Sequence, residues 1–329
     1  MTEPSLVAAT TFPMIIADAL AAGMSGNVSQ ALENYASRYH TDRWLLFSDY
    51  VLNQPGRPND VFSFTLMPAG EYLATLTAEV AVTARRDFKD IARVNEPMMR
   101  LLTDERFFTL CLIVNPLRVL TRNVAQVRRI LDRGIVAMDN VRGALANHQH
   151  ILKLKRLRLQ AASPSFNIRL LDNILLATSV ASYLSYRLCA ARDVTRLGWF
   201  SDRDSITAAH DAIANNFYAI NVAGFCRQQM NGWPGPALGV NARLDRGPLW
   251  CDCFLRLPDY YAGMAAAWDF ERDSIPATPI KYRQILADAI ASHPTMHLLR
   301  MDFKHLDDTI AATATPIRVS GKTAGPTTH

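Results

Sequence analysis

Apolar residues recur along this chain with two different periods, and the switches between them divide it into elements. Over residues 14–40 the spacing is helical: Ile15, Ile16, Ala19 and Leu20, then Val28, Leu32 and Tyr35 after the break at Gly26-Asn27. Residues 44–52 form an apolar run that predicts a strand, which ends in Asn53-Gln54-Pro55-Gly56-Arg57-Pro58-Asn59-Asp60, a segment dense in turn formers. Residues 61–66 predict the returning strand of a hairpin with a long loop. A helix over 71–91, rich in Ala, Leu and Thr, and a third strand over 106–114 follow.

From 117 to 169 Leu, Val and Ile fall at three- and four-residue spacing, which predicts amphipathic helices, and 173–188 reads as a mostly apolar, buried one. A strand at 195–201 and a helix at 206–229 come next. Residues 231–248 hold Gly232, Pro234, Gly235, Pro236, Gly239, Gly247 and Pro248, which predicts a long loop acting as a flap or insertion. Then come a strand-like stretch at 249–255, a helix at 258–268 with Pro258 in its first turn, and a helix at 282–291. The Thr-, Pro- and Gly-rich tail beyond 311 is expected to be disordered. This order predicts an α/β protein in which helices cover a mixed sheet.

Composition narrows the class. The chain has 329 residues, of which 49% are hydrophobic and 20% charged, as in a soluble globular protein with a substantial core. Its net charge of +5 is compatible with an anionic partner and does not by itself point to nucleic acid. The five cysteines are sparse and lie mostly in apolar runs, the pattern of reduced thiols in a cytoplasmic protein. Cys251-x-Cys253 with His148-x-His150 lacks the usual spacing of zinc ligands. The apolar stretch 5–24 has no basic residue before it, unlike a secretory signal, and no uninterrupted apolar run approaches the length of a membrane span. Neither a phosphate-binding glycine loop nor a nucleophile elbow occurs, which argues against a P-loop NTPase and an α/β-hydrolase.

Charge is uneven along the chain. Between 117 and 169 the residues Arg118, Arg122, Arg128, Arg129, Arg133, Arg142, Lys153, Lys155, Arg156, Arg158 and Arg169 face only Asp132 and Asp139 as acids. One reading of this block is a solvated helical face. The other is a surface that follows a phosphate backbone and releases its counterions on binding.

The candidate chemistry lies in three aspartates at element ends. Asp49 follows Trp44-Leu45-Leu46-Phe47-Ser48, Asp202 follows Leu197-Gly198-Trp199-Phe200-Ser201, and Asp259 lies in Leu257-Pro258-Asp259-Tyr260-Tyr261-Ala262-Gly263. Carboxylates at neighbouring strand ends and at a helix start can converge on hard divalent cations such as Mg²⁺ or Mn²⁺ and support phosphodiester hydrolysis. Helix capping competes with this role at Asp202 and Asp259, and Asp204 competes with Asp202 as the ligand. Asp49 is the hardest to explain as structure, because a carboxylate within an apolar strand needs a partner or a cation.

The segments Leu46-Phe47-Ser48-Asp49, Trp199-Phe200-Ser201-Asp202 and Leu257-Pro258-Asp259-Tyr260-Tyr261-Ala262-Gly263 resemble the bacterial family catalogued as domain of unknown function 3800, over roughly residues 44–270. The resemblance implies a ribonuclease-H-like mixed sheet flanked by helices, with a helical insertion between the third and fourth strands. It also implies a nuclease or transposase type of site. Where that family usually reads Asp-Glu-Ser-Gly, this chain has Asp49-Tyr50-Val51-Leu52.

The expected organisation is therefore an N-terminal helical segment (1–40), an α/β domain (41–311) with a basic helical insertion at about 117–190, and a tail (312–329). The expected function is a metal-dependent nuclease or related phosphoryl-transfer protein. Asp49, Asp202 (or Asp204) and Asp259 would hold the metal, and Arg118, Arg122, Arg128, Arg129, Lys153, Lys155, Arg156 and Arg158 would contact DNA or RNA. The alternative is a catalytically silent scaffold that binds a protein or nucleic-acid partner, and the 173–188 helix offers a surface for a homodimer.

Overall fold

Successive residues of the first strand bury on opposite sides. Trp44 and Leu46 join one apolar cluster, Leu45 and Phe47 the other, so the sheet is covered on both faces. The computed structural model describes residues 11–139, 144–202, 205–240, 250–276, 278–291, 293–306 and 309–319.

In chain order the elements are α1 (Phe12–Gly23), α2 (Asn27–Ser37), β1 (Arg43–Val51), β2 (Asp60–Pro68), α3 (Leu73–Thr83), α4 (Glu96–Leu102) and β3 (Phe108–Val114). They continue as α5 (Val124–Asp139), α6 (Ala144–Gln160), α7 (Ile168–Ala191), β4 (Arg196–Ser201), α8 (Ser205–Gln229), β5 (Ala237–Val240) and α9 (Arg256–Ala267). The chain closes with α10 (Lys281–Gln284), which runs into a π-helical turn at Ile285–Ile290, then β6 (Met296–Leu306) and β7 (Thr309–Ile317).

The strands form one seven-stranded mixed sheet in the order β5-β4-β1-β2-β3-β6-β7. β1, β2 and β3 pair antiparallel in sequence, while β4 joins the other side of β1 in parallel and β5 joins β4 in parallel. β6 runs parallel to β3, and β7 closes the edge antiparallel to β6. Helices α1, α2 and α5–α8 pack on the face that carries Trp44, Leu46 and Trp199. Helices α3, α4 and α9 and the π-helical turn pack on the face that carries Leu45, Phe47 and Cys111.

The mixed α/β architecture agrees with the sequence pattern, and four local expectations are corrected. The 249–255 stretch is not a strand: residues 250–255 form a turn and a 3₁₀ helix, Asp252–Leu255. A helical turn sets Trp250 and Phe254, four residues apart, on one side, where Phe254 stacks on Phe47 at 5.2 Å and Trp250 meets Phe200 at 6.0 Å. The stretch beyond 311 carries most of β7 up to Ile317, and β6 precedes it where no strand was expected. In β6, Leu299, Met301 and Phe303 alternate with Arg300, Asp302 and Lys304, and β7, at the sheet edge, is built of small residues and tolerates Pro316. Of the loop expected at 231–248, residues 241–248 lie outside the described residues and 237–240 form β5, while the 71–91 helix stops at Thr83, with a 3₁₀ turn at Phe88–Asp90.

Helix α7 is the one helix among the described residues long and apolar enough to cross a membrane, and here most of it is buried inside the fold. Its N-terminal end is anchored by buried polar contacts. Arg118 Nη1 donates to Asp60 Oδ2 at 2.5 Å and its Nη2 to Asn173 Oδ1 at 2.5 Å, while Asp172 accepts the backbone N–H groups of Leu120 and Thr121. Helix α9 lies over β1 and β2, and small residues let it approach closely. Its last carbonyls are taken up by Asn59 Nδ2, which donates to Ala265 O at 3.0 Å and Trp268 O at 2.7 Å.

Candidate carboxylate site

The strand period decides where Asp49 points. Leu45 and Phe47 face α9, so Asp49 is the next residue on that face, at the end of β1 where the apolar cover gives way to a half-buried position. Asp259 sits in the first turn of α9, where the helix dipole favours negative charge. The Asp49 and Asp259 side chains lie within hydrogen-bonding reach of each other.

Asp259 is further fixed by the main chain, because the N–H of Phe88 donates to its Oδ2 at 2.7 Å. Burial is the largest influence on this carboxyl and pushes it up to about 6, and the neighbouring Asp87 adds to the rise. The Phe88 N–H, Arg256 and Asp49 act in the opposite direction. Arg256 lies one turn earlier on α9 and pairs through Nη1 with Asp87 Oδ1 at 2.6 Å. Two carboxylates, a third nearby and an arginine therefore surround one half-buried spot.

Asp202 continues the same geometry from β4. The parallel register ends with Ser48 opposite Ser201, and the N–H of Asp202 reaches Ser48 O at 3.4 Å, so Asp202 is the next residue alongside Asp49. Phe200, two residues earlier, stacks on Phe47 at 5.8 Å, which sets the face. The Asp202 side chain is exposed, and its main-chain carbonyl accepts the hydroxyl of Thr207 at 2.8 Å. Asp204 lies outside the described residues. Among the described residues no three of His, Cys, Asp and Glu stand close enough together to hold a metal ion. The structure thus joins Asp49 to Asp259 and sets Asp202 beside them without drawing it into a ligand group.

The basic residues divide differently. Arg118 is not a surface residue: its side chain is 2% exposed and committed to Asp60, which is itself 1% exposed. Arg122, Arg129, Lys155 and Arg156 are exposed, and Arg128, Lys153 and Arg158 are partly so. Lys153 donates to Asp211 O at 3.3 Å, and Arg158 is paired with Asp132. Helices α5 and α6 belong to the cluster on the Trp44 face, whereas Asp49 and Asp259 lie on the α9 face.

Several residues of the site had no sequence signature. Asp87 and Phe88 come from a connecting loop, and Lys281 reaches them from almost two hundred positions away. The buried Lys281 ammonium donates to Phe88 O at 2.5 Å and lies 4.2 Å from the centre of the Phe88 ring. Gly263 was visible as part of the last motif, and its reason emerges here: the Phe88 ring packs into the space its missing side chain leaves. No family model matches the chain, and no curated protein or solved structure matches it significantly.

Proposed function

We propose that this chain is a divalent-metal-dependent nuclease, or a related phosphoryl-transfer protein, built on a ribonuclease-H-like sheet. The observation that carries the reading is the close approach of the Asp49 side chain, at the end of β1, to that of Asp259, in the first turn of α9. The strand order supports it. An antiparallel run of β1, β2 and β3, extended by parallel β4 and β5 on the other flank of β1, suits a ribonuclease-H-like fold with β6 and β7 added at the edge.

The donor chemistry suits a hard cation. Carboxylate oxygens are the preferred ligands of Mg²⁺ and Mn²⁺, and two acids held close to each other mark a position where a cation lowers the energy. Asp49 and Asp259 would hold it, and Asp202 is the nearest candidate for a third ligand. When bound, such an ion supplies polarisation of a phosphoryl oxygen and a lowered pKa for a ligated water. The chain's own contribution is positioning. The Phe88 N–H fixes the Asp259 carboxylate, Lys281 holds the Phe88 carbonyl, and Arg256 balances the charge of Asp87 beside the pair.

The test is cleavage of labelled single- and double-stranded DNA and RNA with Mg²⁺, Mn²⁺ or EDTA, by wild type, Asp49→Asn and Asp259→Asn. Metal-dependent cleavage by wild type that both variants lose supports the reading. Equal cleavage by all three identifies a contaminant, and absence of cleavage on every substrate sinks the enzymatic reading.

A second reading, a scaffold that binds without cutting, draws on two observations. Tyr50 stands beside Asp49 and shares a hydrogen bond with the Ser48 hydroxyl at 2.8 Å on the other face of the strand, and Asp202 remains exposed. Nucleic-acid or protein binding that survives Asp49→Asn, without turnover, is the outcome that favours it.

A further inference from the structure

We infer that the phosphate backbone of a nucleic acid is held by the loop at 84–93 together with Arg57, on the α9 side of the sheet, and not by the basic helices α5 and α6. This rests on the phosphodiester-cleaving reading above.

The loop combines a pinned main chain with exposed cationic side chains. Tyr260 Oη donates to Arg86 O at 3.3 Å, and the Phe88 N–H and C=O are taken by Asp259 and Lys281. The Lys281 N–H donates to Ala92 O at 3.3 Å. Gln284 both accepts from the Val94 N–H at 2.9 Å and donates to Val94 O at 3.1 Å. Between these anchors Arg85, Arg86, Lys89 and Arg93 are exposed. Four cations thus stand on a main chain that needs no further ordering on binding.

Their counter-charge is largely committed elsewhere. The loop's acids are Asp87 and Asp90, and Asp87 already pairs with Arg256 at 2.6 Å. Lys89 lies 3.7 Å from Asp87, but Arg85, Arg86 and Arg93 have no acid partner among the described residues. Arg57, from the β1–β2 hairpin, is brought to the same region by Tyr282, whose hydroxyl it meets at 2.5 Å. A cluster of like charges that outnumbers its acids, one of which is already paired with Arg256, complements a polyanion.

Position separates this surface from the alternative. Phe88, in the middle of the loop, contacts Asp259 directly, so a strand lying across the loop meets the carboxylate pair. The exposed cations of α5 and α6 belong to helices packed on the opposite face of the sheet.

The experiment is fluorescence anisotropy with labelled DNA and RNA, single-stranded and duplex, in EDTA so that no cleavage intervenes, over a series of salt concentrations. Arg85→Glu/Arg86→Glu is expected to weaken binding at least tenfold at low salt. The same variant should flatten the log–log salt slope on single strands by about 0.7 for each phosphate that the loop ceases to neutralise. Arg129→Glu/Arg133→Glu on α5 is expected to leave the slope unchanged. Arg85→Gln/Arg86→Gln, with melting curves of all variants, guards against misfolding and is expected to show an intermediate loss. Unchanged binding by folded loop variants, a loss confined to the α5 variant, or no binding by wild type overturns the inference. Because binding is read without metal, failure of the cleavage assay leaves this result independent.

Discussion

The ring of Phe88 occupies the space beside Gly263 so closely that a β-carbon built on the glycine would stand 2.1 Å from Phe88 Cδ1. Asp259 is one turn earlier on α9 and takes the N–H of the same Phe88. The two ends of the motif Asp259-Tyr260-Tyr261-Ala262-Gly263 therefore act on one residue. The aspartate is held by its main chain, and the glycine admits its side chain. Gly263→Ala is expected to cost about 1–3 kcal/mol, as overpacking does, and to disturb the Asp259 carboxylate with it. In a double-mutant cycle with Phe88→Ala the two losses should fall short of additive, since the smaller side chain relieves the clash. Chemical denaturation of the four proteins measures this, and full additivity would refute the coupling.

Burial raises Asp259, so the folded protein disfavours its ionised form. A carboxyl whose folded pKa lies above its unfolded value binds a proton on folding, so the stability tied to it falls as pH rises from 3.8 to about 6. At pH 8 in EDTA, Asp259→Asn is therefore expected to melt about 2 °C or more above wild type, because Asn still accepts the Phe88 N–H. Added Mg²⁺ or Mn²⁺ should raise the melting temperature of wild type and leave the variant unchanged. Any cleavage activity should fall by more than the roughly 10- to 100-fold typical of losing an outer partner of a metal ligand.

Arg118 is expected to behave as a structural residue. Arg118→Ala leaves the buried Asp60 with the 3.1 Å contact to Arg169 as its only ion pair and the Asn53 N–H as its other hydrogen bond, and should cost about 3 kcal/mol or more in denaturant unfolding, the range for breaking a buried ion pair. Arg118→Lys should recover only part of that loss, since an ammonium cannot reach Asp60 and Asn173 with a planar fork. A near-neutral Arg118→Ala would show that Arg169 suffices.

Asp172 gives the chain a second pH-dependent element. Burial pushes its carboxyl up to about 7, against the N–H groups of Thr121 and Leu120 and the nearby Arg169 and Arg118. Its folded pKa exceeds its unfolded one, so its contribution to stability declines as pH rises between 3.8 and about 7. Asp172→Asn should gain on wild type across that window, by at most about 1.4 kcal/mol per pH unit. The difference between the two unfolding curves isolates this carboxyl from other titrating groups, and a difference independent of pH would refute the assignment.

The local periods in the sequence determined the central elements. Strands β1 to β4 and helices α7 to α9 were legible because each is long and has its own apolar pattern. Asp49 stood out because a carboxylate in a buried strand has no local explanation. The last two strands were harder to read: the alternation of β6 is confined to Leu299–Lys304, and the edge strand β7 is made of small residues with little contrast between its faces.

Only the tertiary structure decided what surrounds the aspartates. Strand phase and register put Asp49 on the face of α9 and beside Asp202, but contact between Asp49 and Asp259 depends on how a helix some two hundred residues later lies across β1. The same packing brought in Phe88 and Lys281, moved Arg118 to the interior, and set the basic helices on the opposite face. Local sequence encodes which side of an element is apolar. Which elements then meet is set by burying all those sides at once, and that depends on residues far apart in the chain.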